Sequence, residues 1–208
     1  MNLKELRNSL PSRVKVLAVS KGQEINAIRL LSSSGQIDFG ESRVQEALPK
    51  MDSLKDLIDI RWHFIGSLQA NKVRQVVRKF DVIHSVDSLK LAKRISRIAG
   101  EECKKTIVMA QVKLRNDPNK GGFSSEELLD SWNELIELPN IDLVGLMTMA
   151  PLSFDLTQRK VLFKECRLFA DKLQLEDCSM GMSADWKEAV ESGATWIRLG
   201  TSLFGSRL

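Results

Sequence analysis

The sequence contains no tyrosine and only two histidines among its 208 residues. A mechanism that needs a tyrosine acid or base from this chain is therefore excluded. The three cysteines, Cys103, Cys166 and Cys178, lie far apart and form no Cys-x-x-Cys pair. They predict neither a disulfide framework nor a zinc site, and they are typical of a protein kept in a reducing cytoplasm.

Long hydrophobic runs are also missing. No apolar run approaches the ~20 residues that a membrane span needs, and the charged, amphipathic residues 1–7 lack the apolar core of a signal peptide. The net charge is +4, with 31 basic and 27 acidic residues spread along the chain. This mild excess suits an anionic ligand as well as nucleic acid. The charge alone does not decide between the two. Because nothing in the sequence strongly marks an interface, we expect a monomer, in the cytoplasm, with neither nucleic acid nor a membrane as a partner.

Short, apolar, β-branched segments alternate with segments of helical periodicity along the whole sequence. Helices are predicted near residues 24–33, 88–99 and 155–174. Strands are predicted near residues 14–20, 37–39, 61–66, 81–85, 106–112, 141–147, 177–180 and 195–199.

Eight such units in 208 residues predict an α/β fold, a single (β/α)8 TIM barrel domain over residues 1–208. An open doubly wound sheet is the alternative, but the glycine-rich fingerprint that such a sheet favours is missing. The strongest turn cluster, residues 116–122, is predicted to form one loop between a strand and a helix and not a domain boundary.

A lysine follows the first predicted strand. Residues 14–20 are mostly apolar, and Lys21 and Gly22 come directly after them. A barrel of this kind carries its chemistry at the carboxyl ends of its strands. A lysine there, partly removed from water, can lose its proton and attack an aldehyde to form a Schiff base.

Polar residues that suit a phosphate follow the last two predicted strands. Barrels of this class often bind phosphate with the loops after strands seven and eight, where free backbone N–H groups favour an anion. Ser183, Gly200 and Thr201 lie in those loops. Arg198, just before Gly200, is expected to point into the mouth of the barrel. A lysine, a phosphate seat and an arginine together suggest pyridoxal 5′-phosphate.

A set of short motifs follows in order along most of the chain, at residues 17–21, 39–41, 44–46, 62–66, 69–72, 145–147, 181–185, 198–201 and 204–205. No single motif is specific, but their order is. Together they resemble the pyridoxal-phosphate homeostasis proteins, the YggS/PROSC family, whose fold is like the alanine racemase N-terminal barrel (fold type III of the pyridoxal-phosphate proteins).

The resemblance implies a role for each matching site residue. It implies that Lys21 carries the cofactor as a Schiff base, that Ser183, Gly200 and Thr201 bind its phosphate, and that Arg198 faces its pyridine ring. Further candidate contacts are Ser42 (where the family often has asparagine), His63, Met147 and Met182. No metal and no catalytic residue is expected.

The resemblance also implies a function, the binding and buffering of pyridoxal phosphate with effects on amino-acid metabolism and without efficient catalysis. The partners expected are the cofactor itself and pyridoxal-phosphate-dependent apoenzymes or regulatory proteins. Two alternatives stay open: a weak racemase-type enzyme that depends on the same cofactor, and a Schiff-base aldolase that acts on a sugar phosphate.

Some of these residues also have purely structural interpretations. Ser183 could begin a helix, with Asp185 supporting its first turn. Arg198 could pair with a carboxylate inside the barrel. His63 is expected to be a hydrogen-bonded core residue beneath the site, and His84 to bond to Asp87 or Ser85.

Overall fold

Eight parallel strands close into a barrel in chain order, and β8 pairs back with β1. The computed structural model describes residues 3–115 and 121–205. The predicted barrel is confirmed, and each predicted strand end lies within two residues of the observed one. The strands are β1 (Lys15–Val19), β2 (Asp38–Glu41), β3 (Arg61–Phe64), β4 (Val82–Val86), β5 (Thr106–Gln111), β6 (Ile141–Met147), β7 (Asp177–Met182) and β8 (Trp196–Leu199).

Helices connect the strands around the outside of the barrel, and the three predicted helices are confirmed. Several begin at a side-chain cap, as at Ser124 and Asp155, which each form a capping box. The helices are α1 (Leu3–Ser9), α2 (Ile25–Ser33), α3 (Val44–Ser53), α4 (Val73–Lys79), α5 (Leu89–Glu101), α6 (Ser125–Asp130), α7 (Trp132–Ile136), α8 (Leu156–Lys172), α9 (Trp186–Glu191) and α10 (Thr201–Phe204). Of the loop predicted at 116–122, residues 116–120 lie outside the described residues.

Successive side chains of each strand point alternately into the barrel and outward, toward the surrounding helices. On β8, Ile197 and Leu199 pack outward against the helices. Trp196, in the opposite phase, packs inside with a small apolar cluster, and Arg198 shares that phase. The inner cluster consists of Leu17, Met109, Met147 and Trp196. Because side chains alternate along β8, the guanidinium of Arg198 points into the barrel like the Trp196 ring. Arg198 lies two residues nearer the carboxyl end of the strand than Trp196.

The outer layer contains most of the buried apolar side chains, which seal the helices onto the barrel. Cys166 and Cys178 are buried in this layer and Cys103 is exposed, and all three are free thiols. No helix within residues 3–115 and 121–205 combines the length and the apolar character needed to cross a bilayer.

Candidate functional site

A cavity of about 360 Å³ opens at the carboxyl ends of the strands. This volume lies within the range of small-molecule sites, ≈ 300–1,000 Å³. All five of the principal predicted site residues line it, together with three of the four further candidates. The described lining is Val19, Lys21, Gln23, Ser42, Ile65, Met147, Met149, Met182, Ser183, Ala184, Arg198, Gly200 and Thr201.

Lys21 lies in the turn that follows β1, on the exposed side of the cavity. The residues on either side of it are held in place. The Ser20 hydroxyl donates to Glu41 Oε1 over 2.8 Å, and the Ser20 carbonyl accepts a bond of 2.8 Å from Lys50 Nζ. The backbone N–H of Gly22 donates to Glu46 Oε1. Lys21 is therefore carried by a turn whose two flanks are anchored to β2 and α3.

Lys50 links the residues that hold this turn. Its ammonium donates to the Ser20 carbonyl, to Glu41 Oε1 over 3.0 Å and to Glu46 Oε1 over 2.7 Å. All three of its N–H bonds are thereby used. Burial raises the pKa of Glu41, although the Ser20 hydroxyl and Lys50 oppose the rise. Partial burial alone would raise the pKa of Glu46, but bonds from Lys50 and Gly22 lower it overall.

Sequence reasoning missed this anchoring cluster of Glu41, Glu46 and Lys50. A signal was present, because Glu46 and Lys50 have the (i, i+4) spacing of a helical ion pair. The contribution of Glu41 depends on β2 lying beside β1, which only the folded barrel specifies.

The predicted phosphate seat is assembled from the loops after β7 and β8. The backbone N–H of Gly200 lies 3.4 Å from the Ser183 hydroxyl oxygen, which accepts its bond. Thr201 begins α10 directly afterwards, and amides in the first turn of a helix have no acceptor within it. The interpretation of Ser183 as a helix cap is wrong, because α9 begins at Trp186 and Asp185 is its N-cap residue.

Gly200 provides room that the protein itself does not fill. A Cβ added there would come within 3.6 Å of the Val19 carbonyl oxygen, which is an ordinary contact. Its φ of −110° lies outside the left-handed region that favours glycine. The fold therefore tolerates a side chain at Gly200, and only the adjoining cavity would lose volume.

Arg198 is 4% exposed and lies beneath the cavity. One terminal nitrogen donates to the Ser179 carbonyl and hydroxyl oxygens over 2.6 and 2.9 Å, and the other donates to the Thr148 carbonyl over 2.9 Å. Burial lowers the pKa of Arg198 to about 10, so the side chain is still cationic at neutral pH. Two of its five N–H groups remain for a ligand.

The expectation that a carboxylate inside the barrel pairs with Arg198 is wrong for the part of the chain that the structure describes. The ion pairs found there do not include Arg198, and its hydrogen bonds go to Ser179 and Thr148. Against the larger effect of burial, the Asp185 carboxylate raises the pKa of Arg198 without forming an ion pair with it, and the hydrogen bonds of Arg198 go to neutral oxygens. Such a buried cation favours an electron-rich ligand atom.

His63 does not line the cavity, so the structure does not support it as a cofactor contact. It is fully buried and bonds to Asp38 and His84, as expected for a core histidine. The partners suggested for His84 are wrong, because its ring bonds to His63 and Ser179 and not to Asp87 or Ser85. Ser85 points away from His84, since neighbouring residues of a strand face opposite sides.

The described residues 3–115 and 121–205 contain no group of three or more histidine, cysteine, aspartate or glutamate side chains placed to hold a metal ion. The cavity instead combines a primary amine, a hydroxyl and amide seat for an anion, and a buried cation. This set suits a small aldehyde that carries a phosphate and a ring nitrogen.

Comparison with known proteins gives consistent likenesses over the whole chain. The family model described as the alanine racemase N-terminal domain matches residues 1–208. A pyridoxal phosphate homeostasis protein of Synechocystis sp. is 45% identical over 210 residues, which cover 98% of this chain and 96% of that protein. A protein of the same name from Pseudomonas aeruginosa is 40% identical over 199 residues, 95% of this chain and 86% of that one.

Solved structures agree with the sequence likenesses. PipY of Synechococcus elongatus, solved with pyridoxal phosphate bound, superposes with a TM-score of 0.94 at 46% identity, covering 98% of each chain. An alanine racemase of Clostridium difficile superposes with a TM-score of 0.77 at 20% identity, over 99% of this chain and 55% of the racemase. The second likeness shows a shared fold alone.

Proposed function

This chain belongs to the pyridoxal phosphate homeostasis protein family and has the fold of the alanine racemase N-terminal domain, and from that premise we propose that it binds, carries and buffers pyridoxal 5′-phosphate. The observation that carries the proposal is the cavity that joins Lys21, Arg198 and the loops of Ser183 and Gly200. The whole barrel, residues 1–208, acts as the binding unit.

In the proposed complex, Lys21 Nζ holds the cofactor aldehyde as a Schiff base. The hydroxyl of Ser183 and the backbone amides of Gly200 and Thr201 hold the phosphate. Ser42, Met147 and Met182 form the walls. Condensation of the aldehyde with the Lys21 amine would release water, and the cofactor would then supply an electrophilic C=N carbon conjugated to its ring.

Lys50 does not compete with Lys21 for the aldehyde. The Nζ of Lys50 already donates to the Ser20 carbonyl and to the carboxylates of Glu41 and Glu46, so all three of its N–H groups are engaged within the protein. Lys21 lines the cavity and Lys50 does not. Lys50 therefore has a structural role, and Lys21 is the lysine placed to bond to the cofactor.

Two features favour a carrier over an efficient racemase. Only Lys21 and Arg198 are ionisable among the described residues that line the cavity, whereas a two-base racemase needs a second acid or base across the cofactor. The sequence has no tyrosine to supply one. The permanent charge of Arg198 also disfavours protonation of the ring nitrogen, which weakens the ring as an electron sink.

The proposal includes a cellular role. The protein would act in the cytoplasm as a monomer and exchange the cofactor with pyridoxal-phosphate-dependent apoenzymes or regulatory proteins. No partner other than the cofactor is needed for the binding itself.

The test is an absorption spectrum of the purified protein mixed with pyridoxal phosphate. The wild type and a Lys90→Ala control, changed on the exposed surface of α5, should show the visible band of a protonated Schiff base. Lys21→Ala should lose it. An unchanged band in Lys21→Ala would refute the assignment of Lys21, and rapid deuterium exchange at the α-carbon of added amino acids would refute the carrier role.

A further inference from the structure

A chain of hydrogen-bonded side chains crosses the barrel interior beneath the cavity. The Arg198 guanidinium bonds to Ser179 Oγ over 2.9 Å, and Ser179 Oγ bonds to His84 Nδ1 over 2.9 Å. His84 Nε2 then bonds to His63 Nδ1 over 2.9 Å, and His63 Nε2 bonds to Asp38 Oδ1 over 3.0 Å. We call these five residues the barrel relay.

The barrel relay is sealed from water and connects opposite ends of the barrel. Ser179, His63 and His84 are completely buried. The Trp196 ring packs on both imidazoles, with centroid distances of 5.0 Å to His63 and 6.0 Å to His84. Asp38 begins β2 at the amino-terminal end and pairs with the half-exposed Arg61 over 2.7 Å. Arg198 lines the cavity at the other end.

The two ends of the relay determine the position of every proton within it. Arginine only donates hydrogen bonds and a carboxylate only accepts them, so Ser179 Oγ accepts a hydrogen bond from Arg198 and His63 Nε2–H donates one to Asp38. If both imidazoles are neutral, His84 Nε2–H donates to His63 Nδ1, and the Ser179 hydroxyl donates to His84 Nδ1. Each of the four contacts then has one donor and one acceptor.

The reverse order does not fit the same contacts. It would need a cationic His63 that donates to His84 Nε2, so that His84 Nδ1–H would point at Ser179. The Ser179 oxygen would then accept from both Arg198 and His84, and its own proton would have no acceptor among its hydrogen-bond partners in the described chain. A buried donor without a partner is costly.

We propose that Ser179 and His84 are positioning residues for the cofactor: they hold Arg198 in a fixed orientation, through a hydrogen-bond direction imposed by Asp38 at the opposite end of the barrel. This proposal rests on the proposed function, because positioning Arg198 affects binding only if pyridoxal phosphate occupies the cavity. The terminal nitrogens of Arg198 are held by Ser179 and Thr148, and Arg198 lines the cavity in that orientation. None of Ser179, His84, His63 or Asp38 lines that cavity, so they act through Arg198.

The proton order can be measured without cofactor, by nitrogen-15 NMR of histidine rings in the unliganded protein. The chain has only two histidines, so the assignment is simple. At neutral pH both rings should be neutral, with the proton on Nε2. A cationic ring or a proton on Nδ1 in either histidine would overturn the proposed order, whether or not the protein binds pyridoxal phosphate.

The positioning role can be measured with a matched pair of serine variants. Ser179→Ala removes a hydroxyl of the relay. Ser85→Ala removes an equally buried hydroxyl, one residue from His84, that makes no hydrogen bond. Ser179→Ala should weaken pyridoxal phosphate binding by roughly tenfold, the loss expected for one bond to a charged group. It should also shift the pH dependence of the Schiff-base band, whereas Ser85→Ala should match the wild type.

Equal affinity and equal pH profiles in the two folded variants would refute the positioning role. If Ser179→Ala does not fold, Ser179→Thr, which keeps a hydroxyl, should retain wild-type affinity, and a tenfold loss there would refute the role. Failure of the wild type to bind pyridoxal phosphate would refute the proposed function instead, and the histidine measurement would still decide the proton order.

Discussion

At the scale of single residues, Gly200 differs from other glycines of the barrel because its neighbours leave room for a Cβ atom. Other glycines of the barrel are required by close backbone contacts. A Cβ at Gly145 on β6 would lie 2.3 Å from the Asp177 carbonyl oxygen, which no real structure accommodates without movement. At Gly200 the nearest atom would be 3.6 Å away.

We therefore predict that Gly200→Ala weakens pyridoxal phosphate binding while the free energy of unfolding changes by less than ~1 kcal/mol. Gly200→Val should weaken binding further. Urea unfolding and a spectroscopic titration measure the two quantities separately. Gly145→Ala is the contrasting variant and should lower stability clearly. Wild-type affinity in Gly200→Val would show that the cofactor does not approach this loop.

At the scale of elements, the turn after β1 depends on α3 for its position. The ammonium of Lys50 and the carboxylate of Glu46 hold Ser20 and Gly22, the neighbours of Lys21. Glu41 is completely buried beside them, and one of its oxygens, Oε2, has no hydrogen-bond partner among residues 3–115 and 121–205. Lys50 is thus the cation that makes burial of Glu41 tolerable.

Lys50→Met keeps the apolar stem but leaves Glu41 without its cation, so it should lower the free energy of unfolding by roughly 3 kcal/mol. Adding Glu41→Gln should restore part of that loss, because the charge to be compensated is gone. Lys79→Met serves as a control, since Lys79 is exposed and 3.8 Å from the exposed Asp52. Urea unfolding at neutral pH measures all four proteins. A double variant less stable than Lys50→Met would contradict this account.

At the scale of the whole molecule, the barrel interior contains a buried polar relay beside its small apolar cluster, and the protons bound by that relay depend on folding. Burial, with His63 and Arg198 nearby, lowers the pKa of His84 well below its usual range. The group is then neutral in the folded barrel and takes up a proton in the unfolded chain below a pH of about 6.5. A lowered folded pKa gives stability that is present above the unfolded pKa and lost as the pH falls.

We predict that His84 makes the free energy of unfolding fall by up to about 1.4 kcal/mol per pH unit below pH ~6. This is the value for one proton that only the unfolded chain binds. His84→Gln should be less stable at pH 7, because the relay is broken, but it should lack this contribution to the slope between about pH 6 and pH 5. Urea unfolding of both proteins across that range measures the difference, in which the shared contribution of the carboxylates cancels. Parallel stability curves would show that His84 is not held neutral.

The barrel and part of the candidate site could be predicted from the sequence, but the relay could not. The strands follow from short apolar runs, and Lys21, Ser183, Gly200 and Thr201 follow from their places at strand ends. These are local properties of the chain. The relay was not predictable, because Asp38, His63, His84, Ser179 and Arg198 come from five strands. Which inward residues meet depends on the stagger between strands, and the shifted register between Ser179 and Met182 on β7 has no local signature.

The proposed function requires Lys21 to hold pyridoxal phosphate covalently, and borohydride reduction followed by peptide mass spectrometry detects that bond. Reduction turns a Schiff base into a stable amine, so the modified lysine keeps a pyridoxyl group through digestion. We predict a single major pyridoxyl adduct on the peptide that contains Lys21, and none on the peptide that contains Lys50. An adduct mainly on another lysine, or no adduct at saturating cofactor, would contradict the account.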